Sequence, residues 1–461
     1  MSMRTLILSD IHLGSGGPYD IYAGGSDLPQ LLHSMASPPT RVIFNGDTVD
    51  FLLNEDPLQM DVARAVRQAH AIVGSPETAA VLQALGQLLA AGGEVIIRLG
   101  NHDAELALGE VQQVLRQALG QPAALAARLV FERGAEPRVL TVGGARVLVA
   151  HGEHNDSWNR LDYDNLPGPG APDGASPDGF VYPPGSRLVK TLLNPMKRLY
   201  GMRFADLLKP DFQGAVLTAL AVNPAAVRQV FQGSTATMLW QLFRRSMGPS
   251  SFGGEDEEVD LGLADSLKQV GLSADEEAAL MAALSGGPAA FADEDALDGA
   301  QQKLALSGLK LYARAHRSMA GKEGELFFDL QPSADEWTEA ERLAKKFDVG
   351  AVVLGHTHAA RFRSHGGLTF LNTGTWIWLM QLPSSDAPTE EWVHFLQVCR
   401  INPQLDPQKG ETVPLLRRLN GALVEEQGSD GARLALVEWV PGQGLLTRQD
   451  SHIPAVRAAA Q

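Results

Sequence analysis

Five short apolar runs in this chain each stop abruptly at a polar cluster. Leu6-Ile7-Leu8 leads into Ser9-Asp10, Val42-Ile43-Phe44 into Asn45-Gly46-Asp47, and Val95-Ile96-Ile97 into Gly100-Asn101-His102. Val147-Leu148-Val149 leads into His151-Gly152, and Ala351 to Leu354 into Gly355-His356-Thr357-His358. Apolar runs with little alternation read as strands buried on both faces. In layered α/β folds ligands gather at the carboxyl ends of such strands, so all five clusters fall where one shared site can form. Between the runs, Asp61 to Ile72 and Thr78 to Ala91 place apolar residues at helical spacing, with Gly92-Gly93 as a stop for the second. Arg138 to Val149, with Gly143-Gly144 at its centre, reads as a β-hairpin.

The pattern breaks after the hairpin. Pro167 to Gly185 is dense in Pro, Gly and Asp and reads as a long loop. From Arg187 to Lys346 helix-like stretches alternate with breaks such as Pro249 to Gly254 and Gly286-Gly287-Pro288, and strand character returns at Asp348. Leu368 to Trp378, Trp392 to Ile401 and Ala432 to Val440 read as strands expected to extend a second sheet, with a turn at Pro441-Gly442 after the last and an ordinary tail at Ala455 to Gln461. The expected organisation is one α/β catalytic core in two parts, residues 1–164 and 346–461, interrupted by a mostly helical insertion or cap over 165–345.

The 461 residues are 44% hydrophobic and 20% charged, the composition of a globular chain. A formal charge of −16 opposes binding to a nucleic-acid polymer, whose phosphates would meet a repulsive field, but leaves room for a small anion held by metals. The single cysteine, Cys399, excludes an internal disulfide framework and reads as a small buried residue on a strand. The segment Met1 to Asp10 lacks a signal-peptide pattern and no apolar run is long enough to span a bilayer, so cytoplasm is the expected location.

Each polar cluster alone has a plain reading: Asp10 as a cap or turn former, Gly46-Asp47-x-x-Asp50 as a turn, His151 as a hydrogen-bonded structural histidine. His356-x-His358 is more specific, because residues two apart on an extended strand aim both imidazoles the same way. Their joint occurrence at strand ends supplies what two adjacent divalent ions need. Such ions, about 3.5–4 Å apart, require a carboxylate between them and a shared water. Asp47 is the best candidate for that carboxylate. Mixed imidazole and oxygen ligands suit Mn, Fe, Zn or Co better than Ca or Mg, with Mn the leading choice.

The ordered set Asp10-x-His12, Gly46-Asp47-x-x-Asp50, Gly100-Asn101-His102-Asp103, His151-Gly152 and Gly355-His356-x-His358 resembles the calcineurin-like metallophosphoesterases over residues 4–160 and 345–380. The resemblance implies a four-layer α/β/β/α sandwich with a dinuclear metal site at one edge. It implies that one metal takes Asp10, His12, Asp47 and His358, and the other Asp47, Asn101, His151 and His356. It also implies in-line attack on phosphorus by a metal-bridging hydroxide. His102 then stabilises the transition state or protonates the leaving group, Asp103 orients that imidazole, and Asp50 braces the loop presenting Asp47.

Substrate choice falls to less specific features. His154 and Asn155, beside His151, are candidate substrate contacts or turn residues. Trp376 suits stacking on a base or sugar, or core packing, and Arg98 suits pairing with a nearby acid. Arg187 to Lys209 holds six basic residues against one acid, Asp206, interleaved with apolar ones. Lys197 and Arg198 within it are candidate contacts to a phosphorylated substrate or an anionic membrane surface; the plainer reading is a helix with a solvated basic face. The acidic run Glu255 to Asp260 reads as a solvated loop.

The expected function is therefore a dinuclear metal-dependent phosphoesterase acting on a small phosphorylated substrate. Two alternatives stand beside it. One is a peripheral membrane pyrophosphatase on a nucleotide-linked lipid at the inner membrane face, similar to the UDP-diacylglucosamine pyrophosphatases through Ser9-Asp10-Ile11-His12-Leu13, although those enzymes usually carry Arg at the position of His102. The other is a non-catalytic metal-binding scaffold, disfavoured because Asn101, His102, His356 and His358 are all retained.

Overall fold

The computed structural model describes residues 3–169, 176–203, 222, 330–380, 383, 387–405, 415–428 and 430–456. In chain order the elements are β1 (Thr5–Leu8), α1 (Asp27–Ser34), β2 (Arg41–Asn45), α2 (Val62–Val73), α3 (Pro76–Ala90), β3 (Glu94–Arg98), α4 (Gly109–Ala118), α5 (Ala123–Ala126), β4 (Leu129–Glu132), β5 (Arg138–Val142) and β6 (Ala145–Val149). There follow α6 (Pro184–Leu188), α7 (Asn194–Tyr200), α8 (Ala334–Phe347), β7 (Ala351–Leu354), β8 (Ala360–His365), β9 (Leu368–Thr373), β10 (Leu379–Met380), α9 (Thr389–Ile401), β11 (Leu415–Leu416), β12 (Leu419–Glu426), β13 (Gly431–Val440) and β14 (Gly444–Pro454).

The chain forms two compact units: residues 1–187, 330–378 and 417–461, and residues 188–329 with 379–416. The first unit holds both large sheets. One has the order β14-β13-β12-β1-β2-β3-β4, the other β5-β6-β7-β9-β8. Alternate residues of the apolar strands serve the two faces, as the period of a strand requires. Leu6, Leu8, Val42, Phe44, Val95 and Ile97 join residues of α1 to α4 in one core cluster, while Ile7, Ile43 and Ile96 pack with Val147, Val149, Ala351 and Val353 of the other sheet. On the far face of that second sheet Leu148, Val352, Leu354 and Phe370 meet Trp337, Ala340 and Leu343 of α8. The layers are therefore helix, sheet, sheet, helix.

Local chemistry sets the helix boundaries. Asp61 accepts the Arg64 N–H at the start of α2, and Ser75 accepts that of Thr78 ahead of Pro76 in α3. At α8, Ser333 and Glu336 form a reciprocal capping box. The Arg138–Val149 hairpin forms as expected, with Gly143 and Gly144 both at positive φ, the requirement of a tight two-residue turn.

Three expectations change. Trp392 to Ile401 is helical, within α9: Trp392, Phe395, Val398 and Cys399 recur on one buried face, with Glu390 and Glu391 in the first turn and Arg400 in the last. Its aromatic and β-branched residues suggest a strand only when that spacing is ignored. Cys399 is accordingly buried on a helix, where burial pushes its thiol up to about 12. Leu368–Thr373 does join the second sheet, as β9, but Ala432 to Val440 does not: β12 pairs antiparallel with β1, Leu6 opposite Leu423, and β13 and β14 continue the first sheet. Third, the unit containing the insertion also takes in 379–416, whose β10 and β11 pair, so it is mixed rather than purely helical. Its described helices α7 and α9 are both amphipathic in burial. The breaks at 249–254 and 286–288, the acidic run 255–260, and Phe204, Asp206 and Lys209 of the basic stretch lie outside the described residues.

Candidate metal centre

The strands β1, β2 and β3 run parallel, as do β6 and β7, so their carboxyl ends carry the five polar clusters to one edge of the sandwich. Backbone bonds tie the first two loops together: Asp10 N donates to Gly46 O at 3.2 Å, and Ile11 N and His12 N both donate to Asp47 O at 2.9 Å. Seven non-glycine residues among those described have positive φ, and five of them are Asp10, His12, Asp47, His356 and His358. Left-handed backbone at β-carbon-bearing residues costs about 1–3 kcal/mol each and persists where the surroundings over-determine it, typically at functional sites. Two glycines make the close approach possible. A Cβ on Gly46, at φ +89°, would lie 2.3 Å from His151 Nδ1, and one on Gly100 would lie 2.2 Å from Asp47 Oδ1.

These turns gather two groups of side chains that share one carboxylate. Asp10, His12, Asp47 and His358 form the first, and Asp47, His151 and His356 the second, each with ligand-type atoms within 4.8 Å of one another. The His358 Nε2 is 3.2 Å from Asp10 Oδ1, and His12 Nε2 is 3.3 Å from His358 Nε2. Asp47 divides its labour. Its Oδ1 accepts the His102 backbone N–H at 2.9 Å, while Oδ2 lies 3.3 Å from His151 Nε2 and 4.0 Å from His12 Nε2, between the two groups.

Histidine tautomers are set from behind. His151 Nδ1 faces the Asn45 carbonyl at 2.8 Å and His12 Nδ1 faces Asp50 Oδ2 at 2.8 Å, which turns both Nε2 atoms toward the shared space. His356 instead sets Nε2 against Asp156 Oδ2 at 3.0 Å. Asn101 donates through Nδ2 to Asn159 at 3.5 Å. Asp10 Oδ1, Asn101 Oδ1 and His151 Nε2 are buried with no hydrogen bond from the protein. Buried polar atoms without partners cost about 1–3 kcal/mol each, so three at one spot require a partner from outside the chain. Imidazole nitrogens and carboxylate or amide oxygens so placed fit two divalent transition-metal ions, and the centre is a dinuclear metal-binding cluster.

Its electrostatics agree. Burial would raise the Asp10 carboxyl, but His358 and His151 outweigh it and hold it at about 2. Burial acts likewise on Asp47 and is outweighed chiefly by His151 and His102, which lower it well below the ordinary range. Burial would depress His151, yet Asp47 and Asp10 raise it well above the usual imidazole value. The buried carboxylates thus demand positive charge, which a bound cation supplies more compactly than protonated imidazoles.

The orientation of His102 corrects one expectation. Asp103 does not contact this imidazole: its Oδ1 accepts the Gly100 N–H at 2.6 Å and its Oδ2 the Thr48 N–H at 2.8 Å. Burial, with the Asp47 charge nearby, pushes the Asp103 carboxyl up to about 8 against those two bonds. Asp50 holds His102 instead, Oδ2 to Nδ1 at 2.9 Å, with the same oxygen that holds His12. Burial would raise Asp50, but His102 and His12 overcome it and keep it far below the carboxylate range. Asp50 still braces its loop, accepting Leu52 N–H at 2.9 Å through Oδ1. The side chain of His102 is 11% exposed and that of Asp50 fully buried.

The remaining candidates are dispersed. His154 and Asn155 both turn to Glu339 of α8, at 3.7 and 2.6 Å. Lys197 and Arg198 lie on α7 in the second unit, the first buried and the second exposed. Trp376 is fully buried and donates to Asn420 O at 2.8 Å, so it packs in the core and stacks on no substrate. Arg98 pairs with Glu132 and donates to Glu136 O at 2.9 Å. His365 and His394 are exposed. Asp156 and Glu339 were not singled out by the sequence. Asp156 sits five residues after His151 in a polar run, a faint signal; Glu339 carries none, because a helix far along the chain brings it.

The family model of the calcineurin-like phosphoesterases matches residues 3–185. Those residues form a calcineurin-like metallophosphoesterase domain. The match spans Asp10, His12, Asp47, Asn101, His102 and His151, while His356 and His358 complete the cluster from β7. No curated protein matches the chain. Among solved structures, wild-type Vps29 complexed with zinc from Entamoeba histolytica is 18% identical, covering 27% of this chain and 51% of that one, with a TM-score of 0.15. A double mutant of the same Vps29 gives 18% identity, 27% and 50% coverage and the same TM-score, 0.15, so the match spans half of those chains. Phosphopantetheinyl hydrolase from Mycobacterium tuberculosis is 14% identical over 85% of this chain and 92% of its own, with a TM-score of 0.25. Residues 3–185 thus carry the fold of the calcineurin-like phosphoesterases, and the cluster is a dinuclear metal-binding one.

Proposed function

We propose that the protein hydrolyses a phosphoester or pyrophosphate bond in a small phosphorylated substrate, using two transition-metal ions, with manganese as the first metal to test. The observation that supports this most directly is Asp47 Oδ2, set between His151 Nε2 and His12 Nε2 and shared by both ligand groups. Asp10, His12, Asp47 and His358 would hold one ion, and Asp47, Asn101, His151 and His356 the other. Metal ions held there would supply Lewis acidity, activating water and offsetting charge on the phosphoryl oxygens.

The chain's own residues supply the rest. His102, facing Asp50 Oδ2 through Nδ1, is the proposed group for the leaving-group oxygen, with Asp50 as its positioning residue. His154 and Asn155, positioned by Glu339, are proposed substrate contacts, and Lys197 and Arg198 of the second unit are a separate proposal for anionic groups.

Metal analysis of the purified chain, paired with Asp47→Asn, tests the reading: about two ions per chain and turnover of an aryl phosphate should both disappear in the variant. Full hydrolysis by metal-free Asp47→Asn protein would refute it. A panel of phosphomonoesters, phosphodiesters, nucleotides and nucleotide-linked lipid pyrophosphates under Mn²⁺ then separates the substrate classes. The lipid arm examines the pyrophosphatase reading, which is supported only by Ser9 to Leu13 and the basic residues of α7.

A further inference from the structure

Asp10 is gripped more completely than any other aspartate of the centre. Its backbone O accepts the Thr375 hydroxyl at 2.9 Å and the Trp376 N–H at 3.0 Å, while its N–H bonds Gly46 O, so both sheets hold a residue at φ +53°. Its carboxylate is asymmetric. Oδ2 accepts the Ser9 hydroxyl and the His356 backbone N–H at 3.0 Å, whereas Oδ1 is buried without a hydrogen bond, 3.2 Å from His358 Nε2.

Behind Ser9 lies Thr373, the last residue of β9, with the two hydroxyl oxygens 2.6 Å apart and both residues buried. Each hydroxyl has one proton. Ser9 donates to Asp10 Oδ2, and the Thr373 hydroxyl stands behind it, against Ser9 Oγ and donating to Leu354 O at 3.2 Å. A Cβ on residue 355 would stand 2.4 Å from Ser9 Oγ and 2.8 Å from Asp10 Oδ2, so this chain of bonds needs Gly355 where it is.

We infer that Ser9 and Thr373 are positioning residues: a hydroxyl relay that occupies Asp10 Oδ2 and thereby commits Oδ1 alone to the metal position formed with His12, Asp47 and His358. This rests on the metal-centre reading above and assigns the two hydroxyls a role in it. The two hydroxyls act through Asp10, a ligand of the first group, while the second group is reached only through the His356 N–H that shares Asp10 Oδ2, so their loss falls chiefly on the first metal position.

Calorimetric titration of metal-stripped full-length protein with Mn²⁺ tests this without recourse to turnover. Wild type should bind about two ions. Ser9→Ala should weaken one of them about 10- to 100-fold, as loss of a partner behind a ligand does, and the other by less. Ser9→Thr, which restores a hydroxyl, should recover the affinity. In an Asp10→Ala background Ser9→Ala should add nothing, because the relay acts through that carboxylate. Unchanged Mn²⁺ binding in Ser9→Ala, or an equal further loss in the Asp10→Ala background, overturns the relay while leaving the metal centre intact. Wild type that binds no Mn²⁺ overturns the centre itself and the relay with it. Should Ser9→Ala fail to fold by circular dichroism, Thr373→Val carries the same comparison with a nearly isosteric side chain.

Discussion

Replacing Asp50 by Asn separates the two aspartates that compete for the role of orienting His102. One Asp50 oxygen faces His102 Nδ1 at 2.9 Å and His12 Nδ1 at 2.8 Å, and the other accepts the Leu52 N–H. An amide has a single acceptor atom. Whichever way it is turned, its NH₂ opposes N–H donors, either both imidazoles or Leu52. Buried hydrogen bonds to a charged group contribute about 1.5–3 kcal/mol each. At about 1.4 kcal/mol per factor of ten, the bond to His102 corresponds to a kcat loss of about 10- to 150-fold. The bond to His12 corresponds to metal affinity weaker by about 10- to 100-fold.

Hydrolysis of p-nitrophenyl phosphate across a Mn²⁺ titration distinguishes the two effects, because saturating metal restores occupancy but not the proton donor. The kcat at saturation should stay low. Asp103→Asn, altering a carboxyl that serves Gly100 N and Thr48 N, should lose less in kcat at saturating metal. A kcat within about twofold of wild type for Asp50→Asn, or a larger loss for Asp103→Asn, would refute the assignment.

Other outcomes follow from the same geometry. His102→Ala should keep both metals and lose about 10²–10⁴ in kcat, the range of a general acid, and metal loss by elemental analysis would make the residue structural instead. Gly46→Ala sets a Cβ 2.3 Å from His151 Nδ1 at φ +89°, so Mn²⁺ binding should fall sharply, and wild-type binding by calorimetry would contradict the packing described. Arg198→Ala on exposed α7, alone and then with Lys197→Ala, should weaken anionic substrate or liposome binding; unchanged binding assigns α7 to packing alone.

The sequence by itself determined which residues make the metal-binding cluster. Five apolar runs that end in Asp, Asn or His needed no knowledge of packing, because a strand buried on both faces is legible from composition and its carboxyl end is where such residues emerge. It also placed the hairpin and α2 and α3, whose signals are local. Tertiary structure decided what depends on contacts between distant segments. Asp50 rather than Asp103 meets His102 because the left-handed turn at Asp47 swings Asp50 under both imidazoles, and spacing alone cannot tell which of two nearby carboxylates turns inward. The grip of Ser9 and Thr373 on Asp10 joins residues 364 apart and exists only because two sheets face each other. The pairing of β12 with β1 is equally non-local, since an apolar strand carries no label for the sheet it joins. Trp392 to Ile401 became a helix because its buried residues recur every three to four positions, and only packing showed which residues those were.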